Sequence, residues 1–288
     1  MDTEAVTKLD QALREAAKRM GAREARFLVS QYYQLQERRI ATAAQTRAGA
    51  GNDEPWELHA YLAVNLSLLE DQIRAALDKY TSAHPVGLHL RKVIGIGPVL
   101  AAGFLGEIDI TRAPTVGHIW RFAGLDPTCV WEKGTKRPFN ADLKVLCWKT
   151  GESFIKSKAN PRSIYGPVFD ARKALERARN DAGEFADQAA DTLVRKNFAH
   201  DTEAFRAYTA GKLPDGRINA RARRYAVKLF LADLHCCMHR VTLGQEPPVP
   251  YVLEHVPGHV HRWIASWVPS LASLDKREAA ADTITGGA

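Results

Sequence analysis

Residues 90–108 read LRKVIGIGPVLAAGFLGEI, and the reading of this stretch decides the fold around it. A basic, apolar helix carrying Leu90, Val93 and Ile94 leads into Gly95-Ile96-Gly97-Pro98. Two glycines allow a tight turn with positive φ. Pro98 suits the first turn of a second helix, where its missing N–H costs nothing. Ala101, Ala102 and Gly103 put small side chains where the two helices approach. The pattern is that of a helix-hairpin-helix. The amides of such a turn, and those at the start of the second helix, face outward and can hold a phosphate oxygen. The expected contact residues are Lys92, Gly95, Ile96, Gly97 and Val99, and the expected ligand is a nucleic-acid backbone taken without regard to base sequence. The plain alternative is an ordinary tight corner between two helices. A dinucleotide-binding loop fits worse, because no strand precedes the glycines and no third glycine follows at the required spacing.

Charge points the same way. The 288-residue chain has 40 Lys and Arg against 33 Asp and Glu, a formal charge of +7, which favours a polyanionic partner. Residues 1–85 hold 11 Lys and Arg against 12 Asp and Glu, whereas residues 133–179 hold 12 against 4. The basic block thus begins just after the hairpin, and Lys133, Lys136, Arg137 and Lys144 are its candidate DNA contacts. Farther on, Arg217, Arg221, Arg223, Arg224 and Lys228 follow one another without an acidic residue. Arg221 and Arg224 are the candidates there for a second phosphate-contacting face, with a solvated face as the alternative.

Four cysteines, Cys129, Cys147, Cys236 and Cys237, are too few and too irregular for a disulfide scaffold. The N-terminus is charged and amphipathic, without an apolar signal core, and no apolar run approaches a membrane span. A reduced, cytoplasmic protein without membrane segments is the expectation.

Outward from the hairpin, the chain reads as helix after helix. Residues 4–20 and 24–46 have helical composition, and AGAGND at 48–53 breaks them. Asn52 or Asp53 caps the next helix and Pro55 suits its first turn. Leu58, Leu62, Leu66, Leu69, Ile73 and Leu77 then recur at nearly heptad spacing. Residues 24–82 are therefore expected to form an antiparallel helical hairpin, either a coiled-coil or dimerisation arm or a pair packed on its own domain. A short helix is expected at 118–124, and Gly124-Leu125-Asp126-Pro127 resembles a second, degenerate hairpin. Further helices are expected at 142–158, 166–182, 184–197, 201–210 and 219–243. The fold class is all-α, in four parts: a helical arm (1–85), a helix-hairpin-helix core (86–165), a helical C-terminal region (166–270) and a disordered tail (271–288).

GIGPVLAAGFLGEI, then WRFAGLDP at 120–127, then GTKRPFNADLK at 134–144 together resemble the C-terminal domain of the insertion-sequence 110/116/902 group of transposases. Gly95, Gly97 and Pro98 match its hairpin. Ala123, Gly124, Leu125 and Pro127 match its Leu-x-Pro turn. Asn140, Leu143 and Lys144 match its basic helix, with Lys in place of Arg. The resemblance implies DNA binding, transposition and recombination, with a guide RNA as a further partner of the group. It also implies two features this sequence lacks. One is an acidic, metal-binding nuclease domain on a β-sheet, where residues 1–85 read as helices. The other is a serine nucleophile shortly after the turn, where Thr128, Cys129 and Thr135 are the nearest nucleophilic atoms. The expected function is transposase-like binding of the DNA backbone without strand-transfer chemistry of its own. The alternatives are an active transposase or recombinase of a mobile element, and a guide-RNA or structured-RNA-binding component. A homodimer through the N-terminal helices is the expected assembly.

Two further clusters invite metal. His235 and His239 lie one helical turn apart, with Cys236 between them, and His255, His259 and His261 follow. His235, Cys236, His239, His259 and His261 make a candidate structural zinc set, against a packed core of cysteine and histidine. Glu107, Asp109, Asp126 and Asp142 would bind Mg²⁺ only if they converged for nuclease chemistry. Among the aromatics, Trp131 is the candidate for stacking on an unpaired base, while Trp120, Phe122 and Trp148 are expected in the core.

Overall fold

A computed structural model of the chain describes residues 8–49, 57–249 and 264–274. Eleven α-helices and one 3-10 helix, and no strand, are found among the described residues, so the fold is all-α. The chain divides into two compact units, residues 1–119 with 234–288, and residues 120–233.

The first unit is built on α1 (Gln11–Lys18), α2 (Ala22–Gly49), α3 (Glu57–Ala83), α4 (Pro85–Leu90) and α5 (Pro98–Glu107). The 3-10 helix Ile110–Arg112 follows, and α11 (Asp215–Leu243) contributes its last turns. Asp10 caps α1 by accepting from the Leu13 amide at 2.7 Å. α2 and α3 pack along each other, and the short connection between them makes the pair antiparallel, as expected for 24–82. α1 packs on α3, and α5 packs on both α2 and α3. From Val99 to Gly106 every residue of α5 is buried, as befits a helix apolar on all sides. A Cβ at Gly106 would meet Arg26 Cγ at 2.9 Å and the Ala22 carbonyl oxygen at 3.2 Å. The start of α2 thus approaches α5 to a distance that a side chain would prevent.

The heptad seam behaves differently along its length. Leu77 is fully buried and Leu66 and Ile73 are half-buried, whereas Leu58 is 72% and Leu62 51% exposed. The seam closes only towards the end of α3, which lies beside the start of α2 where α5 packs. Farther out the pair is tied by polar groups. Arg39 Nε and Gln36 Nε2 donate to the buried Glu70 carboxylate at 2.7 and 3.2 Å. The capping expected of Asn52 and Asp53 lies outside the described residues.

The second unit holds α7 (Ala141–Lys156), α8 (Tyr165–Asp181), α9 (Ala186–Arg195), α10 (Glu203–Thr209) and the first part of α11. All five fall within a few residues of the expected helices. Phe154, Tyr165 and Phe230 form the central aromatic cluster, with ring centroids 4.7 to 5.5 Å apart. The Tyr165 hydroxyl donates to the buried Asp233 carboxylate at 2.7 Å. A second cluster gathers Phe185, Ala189, Tyr208, Leu213 and Ile218. Residues 271–274, expected in the disordered tail, form a helical turn, and 275–288 lie outside the described residues. No helix among the described residues is long and apolar enough to cross a membrane.

Candidate nucleic-acid interface

The hairpin lies wholly in the first unit. α4 ends at Leu90, earlier than the sequence pattern suggests, and residues 91–97 form the turn. A Cβ at Gly87 would sit 2.1 Å from the Thr81 carbonyl oxygen, so α4 folds back directly onto the end of α3. The turn is closed by backbone bonds from Lys92 to His89, Val93 to Leu90 and Ile96 to Val93, each 3.0 to 3.1 Å. Val93 and Ile96 are buried beneath it. Arg91 ties it to α3 through Asp78 at 2.7 Å. Lys92 is exposed at its crest.

One glycine, not two, carries the positive φ. Gly95 has φ +95, a conformation that L side chains rarely adopt. Gly97 has φ −84 and ψ 179, extended backbone open to any residue. It serves as the N-cap of α5, with no side-chain cap bond, and a Cβ there would meet nothing within 4 Å. Pro98 takes the first position of α5, as expected. The first amides of a helix have no partner inside it, and the N-cap glycine leaves room in front of them. Ile96 and Val99 are buried, so their part in any contact is through the backbone.

α6 (Val116–Phe122) leads into the second unit. Its end is a Schellman cap. Leu125 donates to the Trp120 carbonyl at 2.8 Å and Gly124, at φ +64, to that of Arg121 at 3.0 Å. The expected degenerate hairpin at 124–127 is this cap. Phe139 packs so close to Gly124 that a Cβ would sit 2.9 Å from its ring. The Asn140 amide returns to the Phe122 carbonyl at 2.8 Å, and its side chain caps α7 at the Leu143 amide. The loop between holds Lys133, Lys136 and Arg137, all exposed. The Arg137 guanidinium lies 5.7 Å from the Trp131 ring centroid, and the Lys144 ammonium 4.0 Å from that of Phe139.

Asp126 and Thr128 form a local motif. The Thr128 hydroxyl and amide both donate to Asp126 Oδ1, at 2.7 and 2.9 Å. These bonds, chiefly, hold the Asp126 carboxyl below its usual range. A carboxylate so stabilised is a weak base. Half-buried Lys228 lies over Trp120, its ammonium 4.1 Å from the ring centroid. Burial lowers its pKa and the Asp126 charge opposes the shift. Cys147 is buried, which pushes its thiol up to about 12.

The arginines of α11 separate into two kinds. Arg221 donates to the buried Glu176 carboxylate at 2.6 Å and covers the Phe185 ring, so it is spent inside the unit. Arg224 is exposed. Partial burial, then the like charges of Arg217, Arg221 and Arg223, lower its pKa.

Among the described residues no three His, Cys, Asp or Glu side chains gather as a metal site. Asp109 caps the 3-10 helix through the Thr111 amide, and Asp142 lies in the first turn of α7. His235 and His239 do meet, with ring centroids 4.4 Å apart. His235 Nε2 donates to the Ala113 carbonyl at 2.9 Å. Both ring nitrogens of buried His239 lack a hydrogen-bond partner among the described residues. Buried Cys236 lies beside them in sequence. His239 thus suits one position of a zinc set. His255, His259 and His261 lie outside the described residues.

Two aromatic expectations are corrected. Phe122 is 44% and Trp148 53% exposed, not core. α7 buries Leu143, Leu146, Cys147, Thr150 and Phe154, which leaves Trp148 off its buried face.

Residues 88–130 match the model of the Transposase IS116/IS110/IS902 family. The match runs from α4 through the hairpin and α6 to the loop after the Schellman cap, and stops before the basic α7. No curated protein and no solved structure matches the chain.

Proposed function

We propose that this chain is a transposase-like protein that grips the DNA backbone through the hairpin of residues 85–107. The observation that carries the reading is the N-terminus of α5. It is capped by a glycine with open space before it, crested by exposed Lys92, and lies inside the segment that matches a transposase family. Lys133, Lys136, Arg137, Lys144 and Arg224 add exposed cations for further phosphates. Two copies pair through the outer part of the helical arm.

The chain acts without strand-transfer chemistry of its own. Attack on a phosphodiester needs an activated nucleophile. The Thr128 hydroxyl is committed to Asp126, whose low pKa makes it a poor proton acceptor. The test has two arms. Gly97→Val and Lys92→Glu should each weaken duplex binding about tenfold or more with helix content unchanged, since backbone and space at 97 accept a side chain. Retained binding in both variants makes the hairpin a structural corner. Incubation with duplex or branched DNA and Mg²⁺ or Mn²⁺ should yield no nicked or covalently joined product. A product lost on Thr128→Ala or Cys129→Ala makes the chain an active recombinase.

A further inference from the structure

Trp148 stands on α7 with more than half of its side chain in solvent. A single exposed apolar residue is ordinary, but this one is held in place. The Arg223 guanidinium lies over its indole, 5.2 Å from the ring centroid. Arg223 is in turn ion-paired to Glu152, one turn farther along α7. Gly151 makes that crossing possible. A Cβ there would sit 2.3 Å from Arg223 Cγ and 2.7 Å from its Cδ. Glycine inside a helix is unfavourable against alanine. Here it opens the path by which the Arg223 stem reaches the ring.

The result is an aromatic ring covered by a cation and still more than half exposed. A guanidinium over an indole is attractive in itself and fixes the ring against rotation. The surroundings are basic. Lys144 precedes Trp148 by one turn of α7, Arg224 follows Arg223, both are exposed, and neither is ion-paired among the described residues. The Glu152 charge is used by Arg223. A flat aromatic ligand carrying negative charge fits such a surface.

We infer that Trp148, oriented by Arg223, Glu152 and the gap at Gly151, stacks an unpaired base of a single-stranded nucleic acid, with Lys144 and Arg224 on the flanking phosphates. The inference rests on the nucleic-acid reading above but uses residues of the second unit alone. Base–aromatic stacking tolerates any base, because every base has a π-face. The site therefore takes single strands without sequence preference.

The experiment measures fluorescence anisotropy of the full chain with three labelled probes: a short oligothymidylate, an abasic strand of equal length, and a duplex. Trp148→Ala should weaken oligothymidylate binding about tenfold and leave the abasic strand and the duplex unchanged. Trp148→Phe should restore most of the loss. Circular dichroism checks that the fold persists. Equal weakening on the abasic strand, or unchanged oligothymidylate binding, overturns the inference and leaves duplex binding standing. Conversion of a dimer to a monomer by Trp148→Ala, with strand binding intact, also overturns it and makes the ring a protein contact. A wild-type chain that binds none of the three probes removes the nucleic-acid reading and this inference with it.

Discussion

Glu176 is 1% exposed, yet three guanidiniums reach it: Arg172 at 2.5 Å, Arg221 at 2.6 Å and Arg179 at 3.8 Å. Burial alone would raise its pKa, but the Arg221 hydrogen bond and the charges of Arg172 and Arg221 hold it below the ordinary value. Its folded pKa is thus depressed. The stability it contributes is present above the unfolded pKa near 4.5 and is lost as pH falls through the folded value. Glu176→Ala leaves three cations without their shared counter-charge and should cost about 3–5 kcal/mol in urea unfolding at neutral pH. The variant should also lose less than wild type on acidification below pH 4.5. The neighbouring arginines should divide. Arg221→Ala should lower stability, whereas Arg224→Ala should weaken DNA binding with the urea midpoint unchanged. The sequence placed Arg221 and Arg224 together on one basic face. Burial of Glu176 from α8 separates them, and no local pattern announces which carboxylate a helix will bury.

At the scale of elements, the long, strongly patterned helices were legible and the special contacts were not. α7, α8 and α11 follow from apolar periodicity and from caps such as Asn140. The hairpin followed from glycine, proline and small residues, yet Gly95 and Gly97 look alike in sequence and differ in backbone. Gly97 is not required by its backbone, and the space before it is open. Trp148, expected in the core, lies exposed on α7. The signal that could have corrected this is Gly151 in mid-helix, which marks a close approach. The outer leucines of the heptad seam of α3 emerge exposed. Exposed apolar side chains repeated along one helix mark an interaction surface. Leu62→Lys should therefore convert a dimer to a monomer in sedimentation velocity, with helix content retained. A wild-type chain that sediments as a monomer at micromolar concentration refutes the pairing.

For the molecule as a whole, the net positive charge sits in the second unit, while the candidate phosphate contacts fall in both. The hairpin belongs to one and the basic loop, α7 and most of α11 to the other. Neutralising about six phosphates gives a log–log salt slope near −5 for duplex DNA. Replacing Lys133, Lys136 and Arg137 by alanine should make the slope shallower by about 3. An unchanged slope places the loop outside the interface and leaves the hairpin as the main electrostatic contact.

The first unit is completed by residues 234–288, after the second has been spelled out in full. During synthesis, residues 1–119 leave the ribosome well before the last turns of α11 that belong to the same unit. His235, whose ring donates to the Ala113 carbonyl, arrives 122 residues after its acceptor. The inserted unit has all its own residues at hand first and can condense while its host waits. The hairpin, built early in the chain, therefore gains its final support late. In a nascent chain of this layout, the unit that holds the hairpin stays incomplete until the last turns of α11 have been made.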